Sequence, residues 1–359
     1  MGINKKIAIL CNYQLLPERV GGMDYFFWMF DEKCKEKSIQ VDWFFLNKST
    51  HQKYEKLTII SSNYQNLEHY FTNYIKNNNQ TYSHIITHFI ETCSPIFKKM
   101  KLISNAKIIV VDHNPRPIEG YSIKKRIEKR VKGILYSRYI DTFIGVSNYS
   151  KNQLIKEFGI SITKKTKVIF NGLDIDKFKQ KTHFFTNSNF VIASHLRKDK
   201  GIQDIIIAVN EIKLQVKIPF TITIYGNGYY EEELKKLIAK FSLQDHFIFK
   251  GSVSNLNELY CNFDYLIHPS YGETFCYSVV ESLLCNLPVI TNNQGNVLGL
   301  IYNNSNGFLY QDNHIKDLKN ILISVLNNTM KIENPLKKQP KVLDLSLDKM
   351  VDNYLKLVQ

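Results

Sequence analysis

The chain has 359 residues, 44% of them apolar, enough to build two cores of ordinary size and so two domains. Its formal net charge of +14 points to anionic partners: nucleic acid, an acidic membrane face or phosphorylated substrates. The six cysteines (Cys11, Cys34, Cys93, Cys261, Cys276, Cys285) are scattered without a C-x2-C pair, which argues against a zinc site or disulfide scaffold and fits a reducing cytosol. The first ten residues read as a charged start to a strand, without a signal-peptide cleavage site. No apolar run approaches the roughly 18 residues of a membrane-spanning helix.

Residues 6–10 predict a buried strand. It runs into a loop with Pro17 and the pair Gly21-Gly22, then a helix over 24–37. Glycines at a strand-to-helix turn let the backbone approach a ligand closely. Strands follow at 41–46, 57–60, 84–88 and 107–114, with helices at 67–77 and 94–104. That alternation predicts an α/β fold with a parallel, doubly wound sheet. His113 stands where a buried strand runs out, at the edge where such sheets bind ligands. It is a candidate site residue, or a histidine hydrogen-bonded to its neighbour Asp112. His88, ending its own strand, is a further cleft candidate.

Lys124, Lys125, Arg126, Lys129, Arg130, Lys132 and Arg138 crowd a predicted helix over 123–138. Ile123, Ile127, Val131, Ile134 and Leu135 occupy another face of it. Such a helix can lie on an anionic bilayer; it can equally be a solvated helix of a lysine-rich protein. No RNA-recognition, helix-turn-helix or finger motif favours nucleic acid. Residues 142–147 predict a strand, with Ser147 or Asn148 capping the next helix. Asp174-Ile175-Asp176 is formally a D-x-D metal motif, but it lies inside a longer pattern that accounts for it. The polar stretch 179–189 is the best linker, so the domains are expected at 1–178 and 179–344.

In the second half, residues 190–194 predict a strand. It leads through His195-Leu196-Arg197-Lys198-Asp199-Lys200-Gly201 to a helix carrying Ile202, Ile205, Ile206 and Val209. Cations at a strand's end and a helix's beginning suit a diphosphate. Next come a strand at 220–225, Gly226-Asn227-Gly228, a Glu-rich helix, a strand at 247–253 that includes Val253, and a short helix at 256–261. Residues 265–268 predict a buried strand, broken by Pro269, Ser270 and Gly272. A helix over 275–284 follows, with Thr274 as N-cap, and then a strand at 287–290. Glu273 lies in that loop and Glu281 about two turns further on, on one side of the helix start. Free N–H groups there suit a diphosphate, and the carboxylates could accept hydrogen bonds from sugar hydroxyls. The plain alternative is an amphipathic helix with solvated glutamates. The helix at 347–357 is amphipathic.

The run from Glu273 through Phe275 and Glu281 to Pro288-Val289-Ile290 resembles the E-x7-E signature of retaining GT-B glycosyltransferases, particularly glycosyltransferase family 4. Thr274, Cys276, Ser282 and Asn286 depart from the usual Gly, Gly, Ala and Gly. Residues 167–178, with Asn171-Gly172-Leu173-Asp174, resemble that family's text before the domain linker. Leu196 and Lys200-Gly201 match its G-R-L-x-x-x-K-G turn, with Ser194 and His195 replacing Gly and Arg. Its late Glu after Ile290 is absent around Gly295.

The resemblance implies two Rossmann-like domains facing across a cleft, the C-terminal helix (345–359) crossing back to the first. It implies a retaining, metal-independent hexosyltransferase without a cofactor, using a nucleotide sugar, UDP-linked by the family's habit. The acceptor would be a glycan or lipid-linked molecule in lipopolysaccharide or capsule synthesis. His113, Glu273 and Lys200 would act at the reacting centre. Gly22, Gly226, Val253, Thr274, Phe275 and Glu281 would hold the donor with Lys200, and either His195 or Arg197 would meet its diphosphate. The protein would be cytoplasmic, on the inner membrane face where helix 123–138 meets it, and would not bind nucleic acid. The changed Gly-Arg pair leaves room for a rival: an inactive GT-B protein that binds a nucleotide sugar without transfer.

Overall fold

The computed structural model describes residues 5–18, 20–182, 188–293, 297, 299–311, 314–332 and 340–359. The chain divides into two compact units, Met1–Leu173 with Leu345–Gln359, and Asp174–Asp344. The division falls at Asp174, whereas the sequence reading set the boundary after Phe178.

In the first unit the strands are β1 (Lys5–Cys11), β2 (Ile39–Phe45), β3 (Thr58–Ser61), β4 (His84–His88), β5 (Lys107–Asp112), β6 (Thr142–Gly145) and β7 (Thr166–Val168). Among the described residues they form a seven-stranded sheet in the order β3-β2-β1-β4-β5-β6-β7, paired in parallel throughout. Helices α1 (Gly22–Glu36), α2 (Leu67–Asn78), α3 (Pro95–Ile103), α4 (Ile123–Tyr136) and α5 (Asn148–Phe158) connect them. Parallel strands are buried on both faces, which is why they read as unbroken apolar runs.

The second unit carries β8 (Asn189–Ala193), β9 (Thr221–Tyr225), β10 (Phe247–Gly251), β11 (Tyr265–His268), β12 (Val289–Asn292) and β13 (Gly307–Tyr310), ordered β10-β9-β8-β11-β12-β13 and again all parallel. Its helices are α6 (Ile202–Ile212), α7 (Glu231–Lys240), α8 (Leu256–Leu259), α9 (Tyr277–Leu284), α10 (Ile315–Leu326) and α11 (Pro340–Leu343). Ile192, Ile205, Val209, Ile224 and Leu322 belong to its core.

The last helix, α12 (Leu347–Val358), belongs to the first unit. Ser346 caps it, accepting from Lys349 N at 3.2 Å. Its Tyr354 ring lies 4.8 Å from Phe26 of α1, and Lys33 of α1 pairs with Asp348 (2.8 Å) and Asp352 (3.0 Å). Burial of the aromatic pair fixes this contact; the exposed ion pairs add little.

Three local expectations are corrected. The helix expected over 275–284 with Thr274 as its cap starts at Tyr277, and Cys276 stands at the cap position without a side-chain bond. Phe275 and Cys276 are buried, yet they belong to the loop. Their side chains continue an apolar spacing that reports burial, not backbone conformation. The strand expected to reach Asn114 stops at Asp112, whose Oδ1 accepts from Asn114 N at 3.3 Å and turns the chain. The linker's opening residues are anchored: Lys181 N donates to Cys285 O at 2.8 Å and its ammonium pairs with buried Asp264 at 3.2 Å. Residues 183–187, and the stretch around Gly295, lie outside the described residues.

Candidate functional site

In the second sheet, β8 and β11 are neighbours, but the chain builds outward from them in opposite directions. Loops leaving their carboxyl ends therefore diverge, and the crevice at such a reversal is where open α/β sheets take ligands. A cavity of about 340 Å³ opens there. Its walls come from the loop after β8 (Ser194, His195, Lys200), from Tyr225 and Gly226 at the end of β9, from Val253 after β10, and from β11, the loop after it and α9 (His268, Glu273, Phe275, Tyr277, Ser278, Glu281).

Two glycines allow this convergence. Gly226 has φ +131°, and a Cβ there would lie 1.9 Å from the Ser194 carbonyl oxygen. Gly201 has φ +70°, and its Cβ would lie 2.2 Å from the Pro269 carbonyl oxygen. Any other residue would push the lysine-bearing loop off the β11 loop. A hydrogen bond from Tyr271 N to Asp199 O, 3.1 Å, ties the two loops together.

That contact delivers Lys200 to Glu273. The ammonium of Lys200 pairs with Glu273 Oε1, which also accepts from Ser270 Oγ at 3.3 Å. The Lys200 side chain is 9% exposed and that of Glu273 20%. One carboxylate oxygen cannot occupy all three ammonium protons, so donors remain to meet an anion. Glu281, eight positions after Glu273, accepts from the buried Tyr260 hydroxyl at 3.0 Å. Burial pushes the Glu281 carboxyl above the usual range, and the Tyr260 hydrogen bond partly offsets this. Phe275 is buried and meets Tyr277 edge-on at 4.8 Å.

The two candidates for the diphosphate, His195 and Arg197, are placed differently. His195 lines the cavity; Arg197 is not among its lining residues and pairs with Asp199 at 2.9 Å. Thr274 also lies off the lining. In the first unit, no described hydrogen bond joins His113 to Asp112. Its Nε2 meets His88 Nδ1 at 2.9 Å and its ring stacks on Phe89 at 4.3 Å. Asp112 instead pairs with Arg116 at 2.7 Å. Burial pushes His113 down to about 3 and His88 well below its usual range, so both rings are neutral near pH 7. Gly22 opens α1 behind the cap residue Gly21.

Sequence reasoning assigned no role to His268, Ser278 or Tyr260. His268 is buried at the end of β11, its Nδ1 is 3.3 Å from Ser278 Oγ, and its Nε2 has no hydrogen-bond partner among the described residues. Burial lowers it to about 4. The strand-end position that singled out His113 would have found His268 too. Tyr260 carried no comparable signal. Among the described residues, no group of three or more His, Cys, Asp or Glu side chains is placed to hold a metal ion.

Residues 174–341 match the family model for glycosyl transferases group 1. An uncharacterized glycosyltransferase of Methanocaldococcus jannaschii is 24% identical over 207 residues, covering 56% of this chain and 55% of that protein. The N-acetylgalactosamine-N,N'-diacetylbacillosaminyl-diphospho-undecaprenol 4-alpha-N-acetylgalactosaminyltransferase of Campylobacter jejuni is 23% identical over 196 residues, 53% of this chain and 52% of that one. The chain thus spans about half the length of these two relatives. The crystal structure of Anabaena HepE in complex with UDP matches with a TM-score of 0.76 at 18% identity, covering 98% of this chain and 99% of that one, a likeness of fold. Residues 174–341 thus carry a domain of the glycosyl transferases group 1 type, and the chain has the two Rossmann-like domains of the GT-B fold.

Proposed function

We propose that the protein is a retaining glycosyltransferase that moves a hexose-type sugar from a UDP-sugar to a lipid-linked or glycan acceptor in cell-surface polysaccharide assembly, lipopolysaccharide or capsule. The observation that carries this reading is the cavity between β8 and β11, where Lys200, Glu273 and Glu281 converge. The UDP named with the HepE structure and the undecaprenol-linked substrate named for the Campylobacter relative support the donor and acceptor classes.

In the proposed reaction the bond between the anomeric carbon and the diphosphate oxygen breaks. Negative charge grows on the departing diphosphate, and the sugar becomes oxocarbenium-like. Lys200 and His195 would meet that charge, helped by the positive end of α9, where Tyr277 and Ser278 line the cavity. Glu273 would orient Lys200 and accept from sugar hydroxyls. Glu281 would accept from the ribose. The acceptor oxygen then bonds to the anomeric carbon on the face the diphosphate leaves, and its proton passes to a phosphate oxygen of the leaving group. Roles for Gly22, His113 and Thr274 rest on the resemblance alone. The basic helix α4 would hold the enzyme against the cytoplasmic face of an anionic membrane. Among the described residues, no helix is long and apolar enough to cross one.

The test is a panel of nucleotide sugars, each assayed for diphosphate release with lipid-linked and glycan acceptors. The reading expects UDP release that an acceptor accelerates. Tight nucleotide-sugar binding with no turnover on any acceptor would instead make this an accessory binding protein.

A further inference from the structure

The cavity of about 770 Å³ in the first unit has no part in the donor chemistry. It lies between the loop after β5 and helices α4 and α5, and five cations line it against two carboxylates, Glu119 and Glu157. Its floor is neutral by pairing: Glu157 takes Arg116 at 2.6 Å and Lys129 at 3.0 Å, and Asp112 takes Arg116 at 2.7 Å. That leaves Arg126, Arg130 and Lys156 without a carboxylate partner among the described ion pairs. Arg130 is held in place: it donates to Lys156 O at 3.0 Å and packs on Gly159, where a Cβ would come within 2.6 Å of its Nη1. Glu119 opposes these cations from the loop but leaves positive charge in excess.

The rim has the opposite character. Ile118, Ile123 and Ile127 line the mouth at 52%, 75% and 60% exposure, and Ile134 continues the α4 stripe at 69%. A single exposed isoleucine is ordinary; a row of them beside unpaired cations is a surface built for contact. A soluble anion would satisfy the cations and leave the isoleucines in water. An anionic bilayer satisfies both, because its phosphates sit just above its acyl chains.

We propose that this cavity binds the phosphate head group of an anionic membrane lipid, with the isoleucine edge of α4 entering the acyl layer. The proposal rests on the reading of an enzyme working at a membrane and gives that contact a defined pocket. Arg126 and Lys156 clasp the phosphate, Arg130 stands behind them, and Ile123 and Ile127 enter the hydrocarbon.

The experiment is vesicle flotation of the full chain without donor, comparing phosphatidylglycerol with phosphatidylcholine. The wild type should bind phosphatidylglycerol at least tenfold more tightly. Removing any two cations weakens attraction to the surface potential, by about 30-fold for two charges. The cavity double variant Arg126→Ala/Lys156→Ala is therefore set against Lys124→Ala/Arg138→Ala, which removes the same charge outside the lining. A head-group pocket predicts a further tenfold loss for the cavity pair. Equal losses for the two pairs, equal binding to phosphatidylcholine, or glycerol phosphate in solution binding as tightly as the vesicles would each overturn it. Turnover of the same variants with a soluble acceptor separates the two readings. Lost vesicle binding with intact turnover supports the pocket, whereas vesicle binding with no turnover in the wild type sinks the transferase and leaves the pocket standing.

Discussion

Lys200→Met removes the ammonium from the second-unit cavity while keeping most of the aliphatic stem. Breaking a buried ion pair costs about 3–5 kcal/mol because the surviving charge is stranded. Here the survivor, Glu273, keeps Ser270 as a donor and is 20% exposed, so the cost should fall to about 2 kcal/mol. Glu273→Gln should cost somewhat more, since it strands the less exposed Lys200. The double variant should recover most of that loss, giving a coupling of about 3 kcal/mol in a double-mutant cycle. Activity should behave differently. Removing one preorganised group that faces developing charge costs roughly 100- to 1000-fold in rate. The double variant should therefore regain stability but not turnover. Denaturant melts and UDP release on the same four proteins make the comparison. A double variant with wild-type turnover would refute the assignment of Lys200 to the leaving group, and single variants with unchanged stability would refute the ion pair's structural role.

Other consequences follow from the same geometry. Gly226→Ala places a Cβ on the Ser194 carbonyl at a positive φ, which should cost about 3 kcal/mol or more and lower donor affinity, read by denaturation and calorimetry. Tyr260→Phe takes from Glu281 its described donor and should cost about 1–2 kcal/mol without nucleotide. With UDP bound the loss should shrink if ribose hydroxyls donate to Glu281, so thermal shifts with and without UDP test that role. In the first unit, burial holds His84 at about 4 and His113 at about 3. Both pKa values lie below the unfolded value, so between about pH 6.5 and 4 the unfolded chain binds more protons and stability falls with falling pH. With His88, also held well below its usual range, three such groups give a slope of about 4 kcal/mol per pH unit near pH 5, measurable by denaturation across pH 5 to 7. A flat profile there would contradict neutral burial of these rings.

The parallel sheets were legible because their strands are apolar runs interrupted by turn chemistry, and Gly226 and Lys200-Gly201 marked the crossings that shape the cavity. The Glu273 and Glu281 pattern was readable from spacing. Other features depend on partners distant in sequence. Nothing near Tyr260 signals that its hydroxyl meets a carboxylate 21 residues on. Nothing near His113 signals that its partner is His88, 25 residues earlier, instead of the adjacent Asp112. The false start of α9 at Phe275 has a different origin: buried loop side chains imitate helical periodicity. The cation excess at the mouth of α4 was visible in composition. Which of those cations are already neutralised by Glu128 and Glu157 was decided only by the fold.

The most direct test of the central claim is a crystal structure of the full chain with UDP. The account predicts the diphosphate between β8 and β11, with a phosphate oxygen about 3 Å from Lys200 Nζ and a ribose hydroxyl at similar range from a Glu281 carboxylate oxygen. UDP bound elsewhere, or in that crevice with Lys200 and Glu281 both out of reach, would contradict it.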